Sequence, residues 1–325
     1  MENREFKTLL ITGGAGFIGS NIAERLVYQG HQVTVLDDLS TGKKENLISI
    51  VRHPNFLFCE GSVLDLPLLQ EMIRGHGIEY ICHQAARPSV TRSLEDPIAT
   101  HEVNVTGTLN VLMAAHETGC LRVVVASSSS IYGDTAVLPK QEDMNYQPRS
   151  PYAASKVAGE LYLKVFYTVY GLPTIGLRYF NVYGRYQDPN SHYAAVIPKF
   201  ISSALKSEPL TIEGDGEQTR DFTYIDDVVN ANLLSLTVPE AHGECVNIGY
   251  GEQTSILSLA KTIISQTHSS SRIVYQDPRP GDVRDSLADI SLAKSLLGYK
   301  PKYHLAEGLG ATIDWYRKNL KRATS

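Results

Sequence analysis

An open, doubly wound parallel α/β sheet is the fold class this sequence predicts, on three observations. Short apolar runs and longer helix-period segments alternate between residue 7 and about 180. The first apolar run passes straight into a glycine-rich turn, and an acidic residue closes the second. The 325 residues exceed one average domain, which leaves chain for a smaller unit beyond the sheet.

Strands are expected at 7–12, 32–37, 55–59, 78–83, 121–127 and 173–179, because each is a short apolar run bounded by Gly or Asp. Between them the 3.6-residue period predicts helices at 17–29, 65–75, 97–118 and 151–170. The last is opened by Ser150 as N-cap and Pro151 at the first helical position. After Tyr183 the alternation loosens into loops rich in Pro, Gly and Asp, with helices near 194–206, 255–266, 291–297 and 305–320. The segment 222–248 carries a helix-like stretch from Asp226 to Thr237 and a strand-like Cys245–Ile248, so the chain returns to the sheet. Two units follow: residues 1–182 plus about 222–248, and about 183–221 plus 249–325 as a smaller mixed α/β unit.

A net charge of -5 argues against a polyanion-binding surface, so nucleic acid is not expected as a partner. Cys59, Cys82, Cys120 and Cys245 are far apart with no C-x-x-C pair and read as core thiols. His83, His101 and His192 are dispersed without ligand spacing, and no metal is predicted. The polar start leads directly into the first strand without a signal segment, and apolar runs stop short of the about 18 residues a membrane span needs. The expectation is a cytoplasmic protein.

Gly13-Gly14-Ala15-Gly16-Phe17-Ile18-Gly19 follows the first strand and opens a helix, the setting of a Rossmann dinucleotide fingerprint. Gly13 makes the tight turn, Gly16 lets a pyrophosphate approach the backbone and the helix N-terminus at Phe17 and Ile18, and Gly19 permits close helix–strand packing. Asp37 ends the second strand about 20 residues on, where a carboxylate meets the adenosine ribose. With Asp38, Ser40, Thr41 and Gly42 it completes that end of the site and favours NAD. Lys43 and Lys44 nearby would tolerate a 2′-phosphate, which leaves NADP open. The plainer reading is an ordinary glycine-rich βα turn.

Tyr152-Ala153-Ala154-Ser155-Lys156 sets a phenol and an ammonium on one helix face. The positive charge is expected to pull the Tyr152 pKa down from about 10 and make it a general base for alcohol oxidation. An exposed i,i+4 contact is the competing reading. Ser127–Ser130 ends the fifth strand, at the edge where open parallel sheets hold ligands.

These motifs are ordered as in a known family. The sequence resembles the extended short-chain dehydrogenases/reductases, and among them the nucleotide-sugar 4-epimerases, over nearly the whole chain. The likeness rests on residues 12–19, His83-Gln84-Ala85-Ala86, 127–133, 152–156, 178–184, 214–221 and 279–289. It implies NAD as cofactor, Ser128 as the catalytic serine with Ser129 as its alternative, and Tyr152 and Lys156 as the catalytic pair. Ala85, Ala86 and Tyr179 match positions lining the nicotinamide pocket, Asn104 matches one near the cofactor, and Gln84 of the same His83–Ala86 motif is expected to bind the cofactor as well. Gly61-Ser62-Val63 departs from the usual Gly-Asp-Ile or Gly-Asp-Val at the adenine, so Ser62 and Val63 are expected there with altered contacts.

For a nucleotide sugar the resemblance implies Asn181, Arg220 and Arg279 around the diphosphate, with Asp282 on the uridine ribose. Ser286 stands where glucose/galactose-restricted epimerases carry a tyrosine, leaving room for an N-acetyl group. The segment 193–198, including Val196, resembles acetamido-sugar members. The 4,6-dehydratases carry Thr-Asp-Glu where this chain has Ser128-Ser129-Ser130, which favours C4 epimerisation of UDP-GlcNAc/UDP-GalNAc over dehydration. A 6-carboxylated UDP-sugar stays open, with Arg87, Arg92 or Arg185 as carboxylate partner, as do a UDP-sugar decarboxylase and a dinucleotide-sensing regulator. Apolar residues on helices 97–118 and 151–170 (Val103, Leu109, Leu112, Leu161, Val165, Phe166) predict a homodimer.

Overall fold

Leu9, Leu10 and Ile11 are all buried because the first strand is covered on both faces, and the same holds along the other central strands. The computed structural model describes residues 8–189, 194–239, 243–278 and 283–323. Seven strands, β1 (Thr8–Thr12), β2 (Gln32–Asp37), β3 (Phe56–Glu60), β4 (Tyr80–His83), β5 (Arg122–Ser128), β6 (Thr174–Tyr179) and β7 (Glu244–Ile248), form one sheet. Its order is β7-β6-β5-β4-β1-β2-β3, and every pairing is parallel. Strand order reverses at β1, which pairs with β2 on one side and β4 on the other. The crevice beyond the carboxyl ends of β1 and β4 is therefore the topological switch point, where such sheets bind ligands.

Alternation along the strands divides the core. Leu9, Ile11, Val124, Ala126 and Ile175 pack with the helices Phe17–Tyr28 and Ile225–Thr237 on one face. Leu10, Val123 and Val125 pack with Leu66–Gly75, Gly107–Thr118 and Pro151–Tyr170 on the other. Each fully buried aliphatic side chain stabilises by about 1.5–3 kcal/mol, so both layers are needed to hold the strand ends in register.

Helix Pro151–Tyr170 starts where Ser150 accepts the Ala153 N–H at 3.1 Å, with Pro151 next, and ends at Gly171 in the left-handed region. The stretch 97–118 is helical but not uniform: Glu102–Thr106 is a single π-turn between Pro97–His101 and Gly107–Thr118. Thr108 Oγ1 donates to the Asn104 carbonyl at 2.6 Å across this widened turn. A short helix, Val90–Glu95, precedes it and was not anticipated.

Beyond β6 three small ribbons tie the loops together: Val182–Tyr183 with Thr223–Tyr224, Thr219–Arg220 with Thr254–Ser255, and Leu210–Glu213 with Ile273–Gln276. Helices Val196–Leu205, Ile256–Thr267, Ser291–Leu297 and Leu305–Ala323 surround them. The segment 222–248 returns to the sheet as β7 beside β6. All four cysteines are free, with Cys82 and Cys120 buried and Cys59 and Cys245 half-buried. No helix among the described residues is long and apolar enough to cross a membrane.

Candidate active site

The glycine loop is built for close approach. Gly13 turns the chain at φ +66°, and a Cβ there would lie 2.6 Å from the Ala85 backbone on the neighbouring loop. A Cβ on Gly19 would stand 2.3 Å from the Gly13 carbonyl. Gly16 is the N-cap of helix Phe17–Tyr28, which no side chain caps, so that end of the helix presents backbone to the groove. Asp37 is buried at the end of β2 and accepts the N–H groups of Ala15 at 2.9 Å and Leu39 at 2.8 Å. Burial pushes its carboxyl up and these amides pull it back. Gly42 backs it, since a Cβ there would meet Asp37 Oδ1 at 2.7 Å.

One groove is lined by Gly13, Gly16, Phe17, Ile18, Gly19, Asp37, Asp38, Ser40, Thr41, Val63, Gln84, Ala85, Ala86, Tyr152, Lys156 and Tyr179. An elongated anionic dinucleotide fits a channel that runs from a carboxylate, past an uncapped helix end, to a Tyr/Lys pair. Lys43 is paired with Asp188 at 2.6 Å and Lys44 with Glu60 at 2.8 Å. With Asp37 at the groove and both lysines on carboxylates, the site suits NAD better than its 2′-phosphorylated form.

At the other end, Ser128 terminates β5 near Tyr152; its hydroxyl accepts the Ser130 N–H at 3.2 Å and favours the ionised form of the Tyr152 phenol. Lys156 Nζ donates to the Ala126 carbonyl at 2.8 Å and lies 5.9 Å from the Tyr152 ring centroid. Here the expectation for the phenol is corrected. Burial raises the Tyr152 pKa and the Ser128 hydroxyl only partly opposes it, so the Tyr152 phenol is neutral in the protein alone. The ammonium sits over a carbonyl and beside the ring, not on the hydroxyl. Burial instead acts on Lys156, lowering it to about 8 against the pull of Glu160.

Residues 9–249 match the NAD dependent epimerase/dehydratase family. This chain belongs to that family. A curated relative from Methanocaldococcus jannaschii, named as a putative UDP-glucose 4-epimerase, is 39% identical over 312 residues, covering 96% of this chain and 99% of that one. A UDP-N-acetyl-alpha-D-glucosaminuronate decarboxylase from Bacillus cytotoxicus is 37% identical over 323 residues, covering 96% and 98%. Among solved structures, the UDP-N-acetylglucosamine 4-epimerase of Methanobrevibacter ruminantium, in complex with UDP-N-acetylmuramic acid, superposes with a TM-score of 0.92 at 39% identity, covering 97% and 99%. The chain is thus an enzyme of an NAD-using family, with the sheet order and glycine loop that family membership requires.

Other family positions fall as follows. Asn104 is buried in the π-turn, accepts the Arg87 N–H at 2.7 Å, and donates to Ser155 Oγ at 3.0 Å, so it braces the catalytic helix without lining the groove. Ser62 is not among the lining residues either; its hydroxyl takes the Leu64 N–H at 3.2 Å. Ser129 starts the turn after β5, while Ser128 is the serine that acts on the Tyr152 ionisation. Leu36, Gly61, Pro88, Val103 and Ala126 also line the groove and were missed, although each flanks a named residue or a strand end; Ser127, from the serine run, lines it too, and Val103 lies on the π-turn beside Asn104.

A second cavity of about 560 Å³ brings Asn181, Val196 and Arg220 together with Phe200, Glu213 and Gln218. Asn181 lies only two residues beyond Tyr179, so β6 leads from one cavity to the other. Its φ of 28° is a left-handed conformation that Asn tolerates better than most side chains. Ser286 donates its backbone N–H to Thr219, next to Arg220, but lines neither cavity. Arg279 and Asp282 lie outside the described residues, as does His192. Arg87 pairs with Asp96 at 3.1 Å, and Arg185 bridges Glu24 and Asp226. His83 shares hydrogen bonds with Thr12 and Thr108, and burial, then Lys156, push it down to about 3. No cluster of three or more metal-ligating side chains occurs among the described residues.

Proposed function

We propose that this chain is a C4 epimerase of UDP-hexoses, acting on UDP-GlcNAc and UDP-GalNAc and tolerating their unacetylated counterparts. The observation that carries this reading is the Ser128–Tyr152–Lys156 set at the lip of the dinucleotide groove, followed by serines and no carboxylate through Ser130. NAD bound in the groove supplies a hydride acceptor and then a hydride donor. Gly13, Gly16, Gly19 and Asp37 would hold it; Tyr152, after giving its own proton to solvent with the Lys156 ammonium stabilising the phenolate, receives the C4 hydroxyl proton, and Ser128 orients that hydroxyl. Asn181 and Arg220 hold the diphosphate in the second cavity, which sets the hexose between the two cavities.

The absence of an acid at 129–130 supports return of the hydride over elimination, because loss of water from the sugar needs an added acid and base. The 4-epimerase names of the archaeal relatives agree with this reading. A second reading, a 6-carboxylated sugar, is favoured by Arg87: it follows the groove residue Ala86, and its buried Nε has no hydrogen-bond partner among the described residues. Incubation with UDP-GlcNAc, UDP-Glc, UDP-GlcNAcA and UDP-GlcA separately, resolved by NMR, separates these. Epimers from the first two support the proposal. Turnover of only the carboxylated pair, or release of CO2, replaces it with the second reading or a decarboxylase.

The reading includes a homodimer. Ala154, Ala158, Leu161, Val165 and Val169 form a stripe on helix Pro151–Tyr170 beside Ile98, with Ile98 72% and Val169 69% exposed. Leu112 and Phe166 do not contribute, being packed against the sheet.

A further inference from the structure

Three consecutive residues at the end of β5 are gripped by three successive turns of one helix. The Ala126 carbonyl receives Lys156 at 2.8 Å, Ser128 acts on the ionisation of Tyr152, and Ser127 Oγ donates to Glu160 Oε1 at 2.5 Å. Positions 152, 156 and 160 share one face of the helix. The first two are the catalytic pair; nothing in the mechanism above uses the third.

Glu160 is a strange residue to bury unless it holds something. Its side chain is 1% exposed, and its two oxygens accept four donors: Ser127 Oγ, Tyr146 OH at 3.0 Å, and Arg178 Nε at 3.0 Å and Nη2 at 2.8 Å. Arg178, on β6, is 4% exposed and also donates to Tyr132 OH at 2.7 Å and the Glu142 carbonyl at 3.0 Å. Two-pronged pairing of this kind fixes direction as well as charge. We propose that Glu160 is a positioning residue: clamped by Arg178, its carboxylate fixes Ser127 and thereby the strand end that presents Ser128 to Tyr152 and Ala126 to Lys156. The proposal rests on the Tyr152-centred chemistry above and adds a residue that the Tyr-x-x-x-Lys motif does not contain.

Glu160 also sets charge. It lies one helical turn from Lys156 and supports the ammonium that burial disfavours. The other groups around Lys156 are Tyr152 on the same helix, His83 from β4 and Tyr179 from β6. Burial keeps His83 neutral and raises both tyrosines, so none replaces the carboxylate near pH 8. Removing the Glu160 charge therefore lowers the Lys156 pKa, and an activity that needs the ammonium fails at a lower pH.

The test uses the full chain with NAD and two variants. Ser127→Ala keeps the ion pair and removes the link; it is expected to cut kcat roughly tenfold with KM within about twofold and the alkaline limb of the pH profile in place. Glu160→Gln is expected to move that limb to lower pH by about half a unit or more, and to move the Lys156 titration with it. That titration is followed by NMR of carbon-13-labelled lysine, assigned with Lys156→Arg. A parental kcat in Ser127→Ala overturns the positioning role, and a parental Lys156 midpoint in folded Glu160→Gln overturns the charge role. If Glu160→Gln does not fold, Ser127→Ala still decides the positioning role. Failure of every UDP-sugar to react would sink the proposed function, while the lysine titration would still report on Glu160.

Discussion

Burial acts in opposite senses on the two residues of the catalytic pair: it keeps the Tyr152 phenol protonated and makes the Lys156 ammonium expensive. Tyr152→Phe, which removes only the hydroxyl, is expected to lower kcat by roughly 10²–10⁴-fold while NAD affinity stays within a few-fold, measured by NMR turnover and calorimetric titration. Lys156 has a folded pKa lowered to about 8. Below that pH the folded state carries a charge that the unfolded chain solvates better, so this residue's contribution to stability rises from about pH 8 toward the ordinary lysine value. Lys156→Met is therefore expected to be inactive yet more stable by about 1–2 kcal/mol at pH 7 by denaturant titration without added NAD, and to lack that alkaline rise. At this scale the sequence was informative where a motif fixes spacing, as for Gly13, Asp37, Tyr152 and Lys156. It was silent on the pairing of Glu160 with Arg178, because a buried pair joining a helix to a strand 18 residues on leaves no periodic trace. It also misjudged the sign of the Tyr152 shift, since an i,i+4 spacing says nothing of burial depth or of the Ala126 carbonyl that takes the ammonium.

The glycine loop and the π-turn show what can and cannot be read at the scale of an element. Strand, glycines and helix follow one another in sequence, so the loop was legible. Gly13→Ala must place a methyl against the Ala85 backbone at a positive φ. It is expected to cost about 1–3 kcal/mol of stability and to weaken NAD binding, checked by denaturation and calorimetry on the same protein. The π-turn at Glu102–Thr106 was not legible, because one widened turn barely disturbs the apolar period of the helix around it. It carries consequence nonetheless: it seats Asn104 between Arg87 and Ser155 and brings Val103 to the groove.

For the whole molecule, alternation of strand and helix was enough to place the sheet and its switch point, and with them the groove. The second cavity was less accessible, since short ribbons such as Thr219–Arg220 with Thr254–Ser255 join distant loops by only two residues. The exposed stripe on helix Pro151–Tyr170 should make the chain a dimer, and Leu161→Asp combined with Val169→Asp should convert it to a monomer by light scattering. A parent that is already monomeric at micromolar concentration removes the dimer from the account. The central claim is that one proton acceptor takes the C4 hydroxyl proton while one resident dinucleotide would take the hydride from C4 and return it to the same carbon. The most direct measurement supplies UDP-GlcNAc deuterated at C4 and follows the label by NMR in ordinary water. The account predicts the C4 epimer with deuterium retained at C4 and no net NADH; deuterium lost to solvent, or NADH accumulating in step with substrate loss, would contradict it.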